Sequence, residues 1–113
     1  MSLLVEQRTY TLKPGKVAQF VEFFEKHDLP FIEPIMGAPV GWYTTEIGPL
    51  NQVIQMWAFE DLADRERRRA KVMAHPAWPR HLEMLEPLVV AQSSILLRPA
   101  TFFASRLAVL RPA

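Results

Sequence analysis

The chain contains no cysteine. That absence excludes disulfides, thiol nucleophiles, C-x-x-C redox pairs and iron–sulfur clusters, and it lends no support to secretion. Glycine is scarce, with four in 113 residues. None falls in a G-x-G-x-x-G fingerprint or a P-loop. No G-x-S-x-G elbow is present, so a Ser–His–Asp triad lacks its strand–turn–helix setting. His27, His75 and His81 show neither H-E-x-x-H nor paired-ligand spacing, so neither a metal nor another cofactor is expected. A net charge of +1 is too small for a general nucleic-acid partner, which needs a concentrated positive surface. No apolar run approaches the roughly 20 residues needed to span a membrane. Met1-Ser2-Leu3-Leu4-Val5-Glu6 lacks the basic n-region of a signal peptide. A cytoplasmic protein is the expectation.

What is present is apolar bulk. Half the residues are hydrophobic, including seven Phe, three Trp and two Tyr. A chain this short fits one domain with a high ratio of surface to volume. Part of its apolar load is expected to be buried against a second copy. No repeats or low-complexity linkers divide it.

The stretch Gly41–Arg69 reads as strand, turn, strand and capped helix. Before it, Leu3–Leu12 reads as a strand rich in β-branched and aromatic residues. Glu6, Arg8 and Tyr10 share one of its faces. They read as a cross-strand ion pair at a wet face or, alternatively, as a pocket wall. Lys13-Pro14-Gly15-Lys16 is a turn. Val17, Phe20, Val21 and Phe24 then form one helical stripe. His27-Asp28-Leu29-Pro30 is expected to interrupt that helix, because a residue before proline disfavours the α region. Asp28 would cap a short second helix, Pro30–Met36, stopped at Gly37. Val40–Ile47 and Leu50–Phe59 read as strands joined by a tight Gly48-Pro49 turn. The second of these is apolar on both faces, as a central strand would be.

Asp61 is a good N-cap for the next helix. Asp61–Arg65 and Asp64–Arg68 are i,i+4 pairs of favourable polarity. Leu62, Ala63, Ala70, Met73 and Ala74 offer its apolar face. The basic run Arg65–Lys71 reads as a solvated face rather than a phosphate or RNA site. His75-Pro76 ends that helix, and a short one follows from about Pro79 to Glu86. Leu88–Arg98 reads as the fourth strand. The order βαββαβ is that of the ferredoxin-like, or split βαβ, sandwich. The fold class expected is therefore α+β: a four-stranded antiparallel sheet with helices on one face. Two apolar open faces would pair as a dimeric α/β barrel. The domain is expected to cover residues 1–100. An apolar tail, 101–113, would pack on its own or the partner subunit.

Three blocks carry a resemblance. They are Arg8-Thr9-Tyr10-Thr11-Leu12-Lys13-Pro14-Gly15-Lys16, then Gly48-Pro49-Leu50-Asn51-Gln52-Val53, and then Trp57-Ala58 followed by Asp61-Leu62-Ala63-Asp64-Arg65. Together they resemble the NIPSNAP family from about Leu4 to Pro99. The resemblance implies a homodimeric α/β barrel, in a superfamily with small cofactor-free monooxygenases and haem-handling proteins. It implies no settled reaction. Animal members are associated with mitochondria, but this chain shows no Arg/Ser-rich presequence.

In related barrels the ligand lies between the sheet and its own helices, and the same place is expected here. Catalytic candidates are Arg8, to stabilise an enolate-type anion, with Tyr10 or His27 to move a proton. Tyr43, Asn51, Trp57 and Trp78 are candidates for ligand binding, each also readable as core or surface. Three functions compete: a small-molecule-binding barrel for a small apolar or aromatic ligand, a cofactor-independent monooxygenase or isomerase acting on an aromatic or polyketide-like substrate, and a protein-interaction scaffold that uses the tail.

Overall fold

The structure, a computed structural model, describes residues 3–110. Residues 1–2 and 111–113, the ends of the expected domain and tail, lie outside the described residues. Strand β1 (Leu4–Leu12) leads through Pro14-Gly15 into α1 (Val17–Phe23), a π-helical turn (Phe24–Asp28) and α2 (Leu29–Met36). Strands β2 (Gly41–Thr44) and β3 (Gln52–Phe59) follow, then α3 (Leu62–Ala74), α4 (Trp78–Leu85), β4 (Val89–Leu97) and α5 (Thr101–Leu110). The sheet order is β2-β3-β1-β4, antiparallel throughout. This is the ferredoxin-like arrangement.

Alternation along the strands builds the main core. Tyr10 and Leu12 of β1 and Val53, Trp57 and Phe59 of β3 point to the face that carries α1 to α4. Phe20, Phe24, Phe31, Ile32 and Met36 close over them from the helices. Rings of Tyr10, Phe20, Phe24 and Trp42 lie 5.2–6.3 Å apart in tilted or stacked pairs. On the opposite face a smaller core joins Leu3, Val5 and Ala58 to Leu107 of α5. That face is apolar at Ile54, Met56, Ile95 and Tyr43. It is polar along Gln7, Thr9, Thr11, Gln52 and Ser93, more mixed than the sequence suggests.

Several local expectations need correction. The helix is not interrupted at His27–Pro30. It runs on through the π turn, in which the Leu29 N–H reaches the Phe24 carbonyl. Proline cannot donate to the ladder and its ring crowds the preceding turn; the wider π turn accommodates it. Asp28 accordingly stays helical and caps nothing. The β2–β3 connection is a loop, not a tight turn, with Gly48 at φ 133 and Asn51 at φ 59. Only Gly41–Thr44 of the second strand remains in the sheet.

Helix α3 departs most. Leu62 and Met73 are exposed. Asp64, Arg65, Arg68, Arg69 and Val72, at helical spacing, turn inward instead. The charged stripe faces in because it meets opposite charge there.

Candidate functional site

Glu6 has no exposed surface. The strand places it directly opposite Trp57 of β3 and Leu96 of β4, beneath α3. A carboxylate there must be paired or neutralised. Arg65 Nε and Nη2 each donate to it at 3.1 Å in a two-pronged bond. Arg8 Nη1 donates at 2.9 Å, and the Ser94 hydroxyl at 2.5 Å. Burial alone raises the Glu6 pKa, but the hydrogen bonds from Arg65 and Ser94, with the charge of Arg8, lower it to about 2. The pairing runs along one strand and across to α3, with Glu6 fully buried and Arg8 and Arg65 each 18% exposed. The reading of a cross-strand pair at a wet face is thereby corrected. The solvated-face reading of Arg65–Lys71 holds for the exposed Arg67 and Lys71 but not for Arg65, Arg68 and Arg69, which turn inward; Arg67 and Arg68 both donate to Asp64, at 2.9 and 2.8 Å, and Arg68 also donates to the Ile35 carbonyl. Of the expected i,i+4 pairs, Asp64–Arg68 forms. Asp61 instead caps the Asp64 N–H, and Arg65 turns to Glu6.

Arg8 Nε donates to the Tyr10 hydroxyl at 3.1 Å, and the guanidinium lies over the Tyr10 ring. Both sequence-nominated residues therefore meet. Arg69, one helical turn beyond Arg65, makes no hydrogen bond or ion pair among the described residues. Burial lowers its pKa, and the nearby Arg8 and Arg65 charges lower it further, against a smaller opposing effect of Glu6 and Tyr10. Arg8 and Arg65 thus both pair with Glu6, and Arg65 pairs with Glu66 as well. None of the buried nitrogens lacking a partner belongs to Arg69, so its donors remain reachable from solvent.

The cluster adjoins an open groove. Strand β4 is a sheet edge whose helix-facing residues Val90, Gln92, Ser94 and Leu96 are uncovered. Between β4 and α4 lies a groove of about 640 Å³, lined by Leu82, Glu83, Leu85, Glu86, Val89, Val90 and Gln92. Gln92 stands opposite Tyr10, and Ser94 opposite Arg8. The arginine cluster therefore begins one pleat, about 7 Å, beyond the groove lining.

The other nominated residues lie apart. Trp57 is core, its indole N–H donating to Gln55 Oε1 at 3.1 Å. Tyr43 is 57% exposed on the opposite face. Asn51 is in the β2–β3 loop, its carbonyl accepting the Leu12 N–H. His27 is exposed and stacks on Phe23. Trp78 is half-buried and stacks on His81. Sequence reasoning missed one buried pair, in which His81 Nδ1 lies 2.7 Å from Asp28 Oδ2. Their separation of 53 positions left no local signal. Trp42 Nε1 is buried without an acceptor, beside an apolar notch of about 240 Å³ lined also by Val21, Phe24, Leu29 and Pro39.

No helix among the described residues is long and apolar enough to cross a membrane. An antibiotic biosynthesis monooxygenase by name, from Bacteroides thetaiotaomicron, shares the fold alone, at 14% identity and a TM-score of 0.64 over 86% of this chain and 89% of that one. An uncharacterised NIPSNAP-like domain protein from Burkholderia xenovorans is much nearer, at 39% identity and a TM-score of 0.85, covering 88% of this chain and 87% of that one. Among curated relatives, a NipSnap homolog of Dictyostelium discoideum is 36% identical over 74 residues, 65% of this chain and 32% of that protein. The chain spans about a third of the length of the curated relatives it matches. The NIPSNAP family model matches residues 5–104. With nearly all of its sheet and helices inside that match, the chain belongs to the NIPSNAP family.

Proposed function

We propose that this domain works as a homodimeric α/β barrel that binds a small organic molecule between β4 and its own helices. The observation that carries the reading is the uncovered groove beside β4. Its volume is that of small-molecule sites, which run from about 300 to 1,000 Å³, and its walls combine four aliphatic side chains with Glu83, Glu86 and Gln92. The dimer is supported by apolar side chains left bare on the sheet, among them Tyr43, Ile95 and Leu97. Native mass spectrometry of the full chain against a small-molecule library tests the reading. Hits should be lost in Leu85→Trp, which fills the groove, while the fold and assembly persist. Hits that survive Leu85→Trp place the ligand elsewhere and overturn it.

A second reading draws on the Arg8–Tyr10 contact, on the strand beside the groove-lining Gln92. A cofactor-independent oxygenase or isomerase for an aromatic or polyketide-like substrate would use Arg8 to hold an enolate-type anion and Tyr10 to carry the proton. Fold likeness by itself warrants no reaction. Turnover of a library hit that falls at least about a hundredfold in Tyr10→Phe, with binding retained, supports this reading. Unchanged turnover refutes it.

A further inference from the structure

We infer that the notch between the π turn and strand β2 is a second binding site, and that it takes a small organic ammonium ion with a compact apolar body. It lies at the β2 edge of the sheet, opposite the β4 edge that carries the groove, and does not depend on that groove.

The notch is built where the helix changes pitch. Val21, Phe24 and Leu29 lie along the stretch in which α1 passes through the π turn into α2. Pro39 and Trp42 face them from the approach to β2 and from β2 itself. A π turn shifts the phase of the side chains that follow it, and such turns recur at functional sites. The space is about 240 Å³. Sites for drug-sized molecules begin at about 300 Å³, so the body it admits is compact.

The chemistry of the lining is one-sided. Val21, Phe24, Leu29 and Pro39 have no polar side-chain atom, and the indole N–H of Trp42 is buried away from solvent. Trp42 therefore offers the notch ring carbon rather than a donor. Among the described residues of the lining, Glu25 is left as the polar group. It is exposed, and its carboxylate makes no hydrogen bond or ion pair among the described residues; its neighbour Lys26 bonds to Glu22 instead, at 2.9 Å. Beyond Glu25 a wider hollow opens, lined also by Leu29, Glu33 and Arg68. Arg68 is held by Asp64 and the Ile35 carbonyl, and so leaves Glu25 unpaired. A negative acceptor with no donor beside it selects a ligand that donates and is positive. The rings of Phe24 and Trp42, 5.2 Å apart, strengthen that choice, because aromatic rings attract cations. An anion would meet the charge of Glu25 with nothing to offset it. A neutral apolar molecule would fill the space and leave the carboxylate unused. An amine uses both.

Ligand-observed NMR titration of the full chain at low ionic strength, with benzylamine, benzyl alcohol and benzoate as probes, tests this. The three share a ring and differ in the head group. Benzylamine should bind about tenfold more tightly than benzyl alcohol, with benzoate the weakest. Added salt should shrink the amine's advantage. Glu25→Gln should bring benzylamine to the level of benzyl alcohol and leave the melting temperature unchanged, because the exposed carboxylate holds no partner in the fold. Val21→Phe, which fills the notch, should weaken all three. Equal affinity for amine and alcohol, or an amine preference that survives Glu25→Gln, overturns the site. So does benzylamine binding that survives Val21→Phe. A preference lost in Leu85→Trp instead assigns the amine to the β4 groove, with its Glu83 and Glu86, and equally overturns the notch. Failure of all three probes to bind overturns it too, while the β4 groove stands or falls by its own library test.

Discussion

Glu6 is a single carboxylate that ties β1, β4 and α3 together. Its pKa of about 2 in the folded chain lies below an ordinary 4.5. The stabilisation is therefore complete above pH 4.5 and is lost as pH falls from there towards 2. The difference corresponds to about 3 kcal/mol. Urea unfolding across pH 2–6 should show this loss, and Glu6→Gln should flatten the profile over the same window. The tryptophans offer a second contrast. Trp57→Phe leaves Gln55 Oε1 without its donor and should destabilise by about 2 kcal/mol. Trp42→Phe removes a buried N–H that bonds to nothing and keeps an aromatic ring in the stack, so it should cost less, by the same measurement. The strand alternation made it legible that Glu6, Arg8 and Tyr10 share a face. It could not show that Arg65, 59 residues on, completes them, because no local spacing links β1 to α3. For the same reason Asp28 reads as a helix cap and His81 as a lone histidine.

At the level of elements, the βαββαβ order was visible because each strand or helix carried its own period and its own punctuation. Asp61 illustrates a local signal that holds: its side chain accepts the Asp64 N–H at 2.8 Å. Asp61→Ala should lower stability by about 1 kcal/mol, read from denaturant midpoints, with the sheet intact by circular dichroism. The inward face of α3 was illegible for the opposite reason. Hydropathy puts Leu62 and Met73 inside, yet pairing with Glu6 and with the Ile35 carbonyl outweighs that preference and turns the arginines in. The π turn hides similarly, since proline announces a break and the chain answers with a wider turn. Residues 101–110, too apolar for a free end, gave little warning of being a helix, because Phe102, Val109 and Leu110 stay exposed while Leu107, with Ala108 beside it, packs on the sheet.

For the whole molecule, the question is what covers the sheet. Homodimerisation would bury Ile95 with its neighbours. Ile95→Lys, on an exposed position of the protomer, should leave the fold intact and shift sedimentation from dimer to monomer at micromolar concentration. An unchanged sedimentation coefficient would argue for another interface. Strand β4 then acquires a second meaning. Val89–Leu97 has nine residues, no charge, no proline and no glycine, and its outer backbone edge pairs with no other strand among the described residues. Such a ribbon templates further strands when left bare. If the proposed homodimer also covers that edge, a monomeric variant such as Ile95→Lys should stack into fibres, with thioflavin fluorescence climbing on prolonged incubation while the parent chain stays flat.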